Sequence, residues 1–433
     1  MVVVGGGPAG MIAAGRAAER GCRVLLLERN PELGRKLLIS GGGRCNLTSN
    51  LSDRHELTAR YGDRGKYLHS LFARFGPDDI RSLLRRYGLE TKVEAEQRVF
   101  PVTDAAASVR DVLERYMDDG GVTVRRDRRV TGLFVEDGAV RGVVTHRGEE
   151  VRATAVFLAV GGASRPETGS TGDGFAWLSE LGLPVRRPEA SLVPIRVSDA
   201  WVRRLQGLAL GDAALHAEVL PREQHTRVPD ARDRSAWGNA RRVYSRRGKV
   251  LFTHFGLSGP AVLNAAESIR DLARDQHLRL IVDLLPGYDA ESIDRRIRDA
   301  ASGAGARSVR RVLGDLVSAR LVDAVCDVAD VDPGGRVAEL SRVRRRRLVE
   351  ALRGMPAAYG GLMGQEKAVV SSGGLDPAAV DFTTMRLREW PSVAVLGDLL
   401  DFNRQSGGFS LQVCWASGWV AADACDCERS VSK

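Results

Sequence analysis

The sequence predicts an α/β fold of Rossmann type, on three observations confined to its first thirty residues. A short apolar run, Val2-Val3-Val4, leads directly into Gly5-Gly6-Gly7-Pro8-Ala9-Gly10. An Ala-rich stretch with helical character follows and stops at Gly21. A second apolar run over 23–27 then ends on the acid Glu28. Strand, glycine turn, helix, strand and acid, in that order, make a nucleotide-binding β-α-β unit.

Each part of that unit has a physical reason. Gly5 permits the tight turn, Gly7 lets the backbone approach a pyrophosphate, and Gly10 lets helix and strand pack closely. Pro8 and Ala9 complete the turn and enter the helix. Glu28 stands 18 residues after Gly10, where a carboxylate accepts hydrogen bonds from adenosine ribose hydroxyls. Gly5, Gly7, Pro8, Ala9, Gly10 and Glu28 are therefore the first group of cofactor-binding candidates.

The next segment separates FAD from NAD. Residues 34–46 read GRKLLISGGGRCN, a second glycine cluster with basic residues on both sides. Amides exposed by glycines cradle phosphate or flavin oxygens, which suits a long cofactor extending past the first turn. Arg35, Lys36, Ser40, Gly41, Gly42, Arg44, Cys45 and Asn46 join the candidates on this ground.

Taken together, these motifs resemble those of the BaiN/YhiN-like FAD-binding flavoproteins, a family of aminoacetone-oxidase-like, NAD(P)/FAD-dependent oxidoreductases. The resemblance covers nearly the whole chain. It rests on GGGPAG, on GRKLLISGGGRCNLT at 34–48, and on RVFPVTDAA at 98–106. It continues in LAVGGASRPETGSTGDGF at 158–175, LFTHFGLSGPAVLN at 251–264 and SGGFSLQ at 406–412. It implies that Val130 meets the adenine through its backbone, and that Gly161 and Gly162 form the late glycine turn. It further implies that Gly397-Asp398 binds the ribityl chain and that Gly408, Phe409 and Ser410 lie beside the flavin. Three positions depart from the family pattern. Asp398 replaces a Glu, Phe409-Ser410 replaces Tyr-Asn, and Arg165 stands where a Tyr is common. These departures leave the substrate and the reactivity open, but not the cofactor.

The same pattern divides the chain. An FAD-binding domain is expected at 1–190 and 366–433, discontinuous in sequence. The resemblance implies a β-barrel-like insert, placed at 191–288 and 354–365, with a helical subdomain at 289–353. Alternating residues around 192–197 and 278–285 suit strands, and apolar spacing from Ile293 to Leu321 suits amphipathic helices. The Arg-rich stretch 221–247 reads as an extended loop.

Composition sets the remaining bounds. A chain of 433 residues exceeds one ordinary domain. No apolar run is long enough to span a bilayer, the N-terminus reads as mature structure, and a cytoplasmic location is expected. The formal charge of +9 invites a nucleic-acid partner. Yet 58 of the 64 basic residues are Arg, a usage that fits a GC-rich genome, and the run Arg342 with 344–347 reads as a solvated helix face. Nucleic acid is thus the less favoured partner, and a small-molecule substrate the more favoured one. The six cysteines show no C-x-x-C pair, so no metal site is expected and all six are read as reduced thiols.

A flavin carries its own redox chemistry while the protein supplies binding and electrostatics. Cys45 and His254 are the candidates for catalytic residues, each with a structural alternative: Cys45 packing within its loop, His254 bonding within a turn. Three functions remain open from sequence. The chain is a flavin oxidoreductase on a small or medium organic substrate with NAD(P)H as a transient donor, an FAD-dependent RNA-modifying enzyme, or a flavin-binding regulator. The absence of a second glycine fingerprint argues against a separate nicotinamide domain.

Overall fold

The computed structural model describes residues 1–222, 227–302 and 307–425. The chain forms two compact units, Met1–Ser191 with Gln365–Lys433, and Leu192–Gly364.

The first unit is built on a parallel sheet. Val2–Val4 (β1) lies between Leu25–Leu27 (β2) and Val156–Leu158, parallel to both. Thr123–Arg125 extends the sheet beyond β2, and Val393–Val395 extends it on the other side. Two short antiparallel strands, Arg386–Leu387 and Val380–Asp381, complete seven strands among the described residues. The central strands are short and covered on both faces, which is why they read as unbroken apolar runs rather than alternating ones.

Pro8–Glu19 (α1) begins at the sheet's centre, with Pro8 at its first turn, where a missing amide proton costs nothing. Two neighbouring helices press against α1, and glycines set the approach on both sides. A methyl at Gly15 would lie 2.5 Å from the Tyr116 ring of helix Ala106–Asp119. A methyl at Gly418 of helix Phe409–Asp423 would lie 2.4 Å from the Ala9 carbonyl oxygen. That last helix is apolar on nearly every face, as a helix enclosed by its neighbours must be. A two-stranded antiparallel ribbon, Val185–Ser191 with Val370–Leu375, also belongs to this unit.

The second unit is a closed six-stranded barrel with helices around it. Its strands run Ile195–Val197, Gly256–Ser258, Arg241–Thr253, Ala209–Pro221, Gln276–Asp283 and Met355–Leu362, and the last closes on the first. Helices Ala290–Ser302, Val309–Gly314, Ala319–Ala329 and Arg342–Arg353 share one apolar core with the barrel.

Two expectations are corrected here. The stretch 221–247, read as a loop, contributes its second part to strand Arg241–Thr253, paired with Ala209–Pro221. Arg241, Arg242 and Arg247 are exposed and Arg246 is half-buried, so the alternation that marks a half-buried strand is masked by charge. Cys22 is disulfide-bonded rather than a reduced thiol. A covalent pairing of thiols follows from tertiary proximity, which C-x-x-C spacing does not encode. Cys45, Cys326 and Cys414 are buried thiols, and the buried Cys425 thiol donates to the Ala421 carbonyl at 3.5 Å; Cys427 lies outside the described residues. Within the run at 342–347, Arg345, Arg346 and Arg347 pair with Asp294, Glu350 and Asp330 on a largely exposed helix face. Among the described residues no helix is long and apolar enough to cross a membrane, and no group of three metal-ligating side chains converges.

Candidate functional site

The three glycines of the first turn face three different environments. Gly5 has φ +102°, a backbone conformation an L-residue rarely adopts, and a methyl there would lie 2.5 Å from the Ala159 carbonyl oxygen. A methyl on Gly10 would lie 1.9 Å from the Gly5 carbonyl oxygen, so helix, turn and strand are in backbone contact. Gly7 is the opposite case. It caps α1 with no side chain, and a methyl there would meet nothing within 4 Å. The wall beside the first amides of α1 is open, and those amides have no partner within the helix.

At the end of β2, Glu28 is buried and already engaged. It accepts from the Gly6 amide at 2.6 Å, the Asn30 amide at 2.8 Å and the Asn30 side chain at 2.7 Å. Arg29 donates to Thr171 at 2.7 Å and pairs with Asp173, while Asn30 reaches the Thr168 carbonyl at 3.0 Å. The segment 168–173 is thus strapped onto the end of β2. Arg35 donates to the Asn30 side chain at 3.1 Å. Val130 opens the strand Val130–Glu136, just after Arg128, whose amide bonds the Glu28 carbonyl at 2.8 Å.

The helix Arg35–Leu38 (α2) sends Lys36 to the second locus. Its ammonium donates to Ser164 at 2.7 Å and to Asp398 at 3.3 Å. Asp398 is 8% exposed and also accepts from the Ser410 hydroxyl at 2.9 Å. The fully buried Arg404 lies 3.8 Å from it. Burial alone would raise the Asp398 pKa, but the Lys36 and Arg404 charges and the Ser410 bond outweigh it and hold the carboxyl below its ordinary range. Gly397 sits where a methyl would approach Cys414 at 3.1 Å and Ala9 at 3.3 Å. The first turn of α1, the 397–398 turn and helix Phe409–Asp423 therefore meet at one place. A methyl at Gly162 would approach the Asp398 carbonyl oxygen at 3.4 Å, one at Gly161 would meet Ser170 instead, and the Ala163 amide is held by Ser371 at 3.1 Å.

The GRCN loop closes this locus. Gly41 and Gly42 adopt left-handed backbones and lie exposed. Ser40 donates to the Leu37 carbonyl at 2.7 Å. Arg44 stacks over Phe100 and is held by Glu94 and Asp104, so its guanidinium faces protein partners. Cys45 is fully buried, and burial pushes its thiol up to about 12 against a weaker opposing bond with Ser40. A thiol so protonated is a poor nucleophile at neutral pH, and the packing role stands. Asn46, with its amide oriented by its neighbours, accepts from the Gly408 amide at 3.1 Å. Gly408 has φ +91°, and a methyl there would sit 2.5 Å from Thr48. Tyr61, which sequence reading missed, donates to the Phe409 carbonyl at 2.8 Å and packs edge-on against the Phe409 ring. No spacing rule pointed to Tyr61; its role follows from tertiary contact.

His254 belongs to the second unit. It lies exposed at the Thr253–Gly256 hairpin, its ring edge-on to Phe255.

A family model, described as the HI0933-like protein Rossmann domain, matches residues 1–424. The chain belongs to the HI0933-like family. It is an FAD-dependent oxidoreductase of Rossmann type within that family. A ribosomal RNA dihydrouridine synthase of Escherichia coli is 28% identical over 97% of this chain and 96% of its own length. A 3-dehydro-bile acid delta(4,6)-reductase of Clostridium scindens is 25% identical over 98% of each. Among solved structures, a 3-ketosteroid-delta4-(5alpha)-dehydrogenase from Rhodococcus jostii aligns with TM-score 0.51 and 17% identity, over 97% of this chain and 96% of that one. A flavocytochrome c3 fumarate reductase aligns with TM-score 0.51 and 16% identity, over 98% and 77%. These two show likeness of fold.

The locus fits the cofactor of this HI0933-like protein. It offers an open wall at Gly7 beside the first amides of α1 with their positive dipole end, and two cations around one carboxylate. A group carrying a pyrophosphate and a hydroxylated chain needs those features.

Proposed function

We propose that this protein reduces a carbon–carbon double bond conjugated to a carbonyl in a small or medium organic substrate, with NAD(P)H as donor. The observation that carries the reading is the locus around Gly7, Lys36 and Asp398. It has the groups to bind and orient a flavin, and Cys45, its one thiol in the GRCN loop, is held protonated. The substrate class draws on the full-length relatives, whose names describe forming dihydrouridine and reducing delta(4,6) bonds. In both, the double bond lies in conjugation with a ring carbonyl.

FAD, when bound, supplies the two-electron chemistry between donor and substrate. The chain's residues do the rest. Gly5, Gly7, Pro8, Ala9 and Gly10 present backbone to the pyrophosphate, and Glu28 addresses the ribose. Lys36, Gly161, Gly162, Gly397 and Asp398 hold the middle of the cofactor. Gly41, Gly42, Asn46, Gly408, Phe409 and Ser410 bound its flavin end, while Arg35, Ser40, Arg44, Cys45 and Val130 support these contacts. The domain division at 190 and 366 follows the same reading, with the insert carrying substrate selectivity.

Anaerobic mixing with NADH and NADPH tests the donor: the oxidised flavin band bleaches with one of them. Reoxidation by a conjugated enone then tests the substrate class. A flavin that bleaches but is reoxidised by no enone and no uracil-containing RNA overturns the reading.

One observation favours RNA as the substrate. Residues 192–364 hold 29 basic and 21 acidic residues, which is eight of the nine excess positive charges. A phosphate backbone is the polyanion such a surface suits. Under that reading RNA retention falls steeply between low and physiological salt, by ~10³-fold for about six phosphate contacts. Retention that ignores salt removes it.

A further inference from the structure

Arg404 is a buried cation without a complete set of partners. Its side chain is fully buried, and guanidinium groups do not lose their proton in proteins. One terminal nitrogen donates to the Gly397 carbonyl at 3.1 Å and the Leu400 carbonyl at 2.8 Å. The other reaches the Phe402 carbonyl at 3.4 Å. Its Nε makes no hydrogen bond and lies 3.8 Å from Asp398. A buried donor left open is costly and is retained where a function needs it.

We propose that Arg404 is the positioning residue of the cofactor site, acting through Asp398. It draws together the carbonyls of the 397–402 turn and supplies a permanent counter-charge to the carboxylate that the turn presents. This inference rests on placing FAD at Asp398.

Lys36 cannot fill that role. It is partly exposed, and it is shared with Ser164 at 2.7 Å. Water screens it, and an approaching phosphate competes for it. Arg404 is closed off from both. Its planar fork also spans several carbonyls at once, which an ammonium does not reproduce. The groups facing Asp398 are Lys36 from α2, Arg404 from the following loop, and Ser410 and Cys414 from helix Phe409–Asp423. Burial, first, and the nearby Asp398 charge raise the Cys414 pKa and keep that thiol neutral. Arg404 is therefore the only fully buried charge acting on this carboxylate among the described residues.

The sign follows. Without Arg404 the Asp398 carboxyl takes up a proton at higher pH, so FAD binding fails earlier on acidification. The test titrates FAD into the flavin-free full-length protein by fluorescence quenching, from neutral pH downward. Arg404→Met should weaken binding at least ~10-fold and move the acid limb to higher pH. Arg404→Lys keeps the charge and should keep the limb near its wild-type position, with an intermediate loss of affinity. In an Asp398→Asn background, Arg404→Met should produce no further shift of the limb. A folded Arg404→Met protein with the wild-type limb overturns the proposal, as does an equal shift in the Asp398→Asn background. Should Arg404→Met not fold, the Arg404→Lys and Asp398→Asn cycle carries the test: additive losses overturn it, and coupled losses support it. Gly7→Val separates the underlying reading, since full FAD binding by that variant displaces the cofactor site itself.

Discussion

Residues 1–191 with 365–433 hold 35 basic and 34 acidic residues, whereas 192–364 hold 29 and 21. The near-neutral unit nonetheless buries its charges: Glu28, Asp398, Asp401 and Arg404 are each under a tenth exposed. The charged unit mostly spreads its ions over exposed pairs such as Arg247–Asp212 and Arg204–Asp327. Exposed pairs contribute little to stability, so the barrel unit rests on its apolar core. The first unit pays desolvation costs instead, and does so around the cofactor motifs. The first unit thus gathers more of its charge in the interior, while in the second Asp283 and the largely buried Arg279–Glu218 pair are the exceptions.

The largest expected effect strikes the first unit alone. Gly7 has φ −81°, ordinary for any residue, and open space around it. Gly7→Val should therefore fold, melt with flavin-free wild type, and lose FAD, with affinity down at least ~1,000-fold, or ~4.1 kcal/mol. Flavin absorbance after gel filtration reads the result. A folded variant that stays fully yellow would undo the assignment of this wall.

Next in size is Asp401, 1% exposed, which accepts two bonds from Arg186 at 2.8 Å and one from the Gly373 amide at 3.1 Å, and also binds Arg64. Asp401→Ala should cost about 3 kcal/mol, the low end for a buried pair, because Arg186 and Arg64 regain water. Denaturant unfolding measures it. A loss under about 1 kcal/mol would place Asp401 with the surface pairs of the other unit.

How much of this was legible depends on range. Gly5, Gly7, Gly10 and Glu28 answer to local spacing within one β-α-β unit, so sequence reading reached them. Asp398 was reached through a motif. Asp401 and Tyr61 were not, because their partners lie hundreds of positions away; Arg404 was not, because no spacing rule marks a guanidinium that folds back onto the carbonyls of its own turn. The strand Arg241–Thr253 was missed for another reason: exposed arginines hid its alternation. The barrel unit carries few short-range signals, because its closing pair joins Ile195–Val197 to Met355–Leu362 from opposite ends of the unit's sequence.

Acid should separate the units. His216 on the barrel bonds Ser245 at 2.9 Å, and burial first, then Arg242, lowers its pKa to about 4. Its stabilising share is complete above the unfolded value near 6.5 and is lost as pH falls from there toward 4. The buried carboxylates of the first unit, Asp398 and Asp401, have lowered pKa values, and their share is lost later, below about 3.9. Asp283 opposes His216, since burial raises its pKa and acid relieves it. The net expectation is ~1–3 kcal/mol of earlier acid loss in the barrel. Hydrogen exchange by peptide should show Ala209–Pro221 opening before β1, and His216→Asn should delay that opening. Simultaneous opening of both units would erase the contrast.

The smallest effect concerns Arg165, one of the family departures. Its backbone is left-handed, φ 57° and ψ 58°, a conformation costing a non-glycine residue ~1 kcal/mol. Its side chain approaches Glu167 at only 3.7 Å, an exposed pair of little worth. Arg165→Gly relieves the strain but adds unfolded-state entropy of ~0.5–1 kcal/mol. The two nearly cancel, so stability should move by less than about 1 kcal/mol. Function provides the sharper readout. If strain is kept here because Arg165 meets substrate, then Arg165→Gly should leave FAD affinity unchanged and lower kcat/KM for the reoxidising substrate about 10-fold. Turnover equal to wild type would move substrate recognition away from the first unit and onto the barrel.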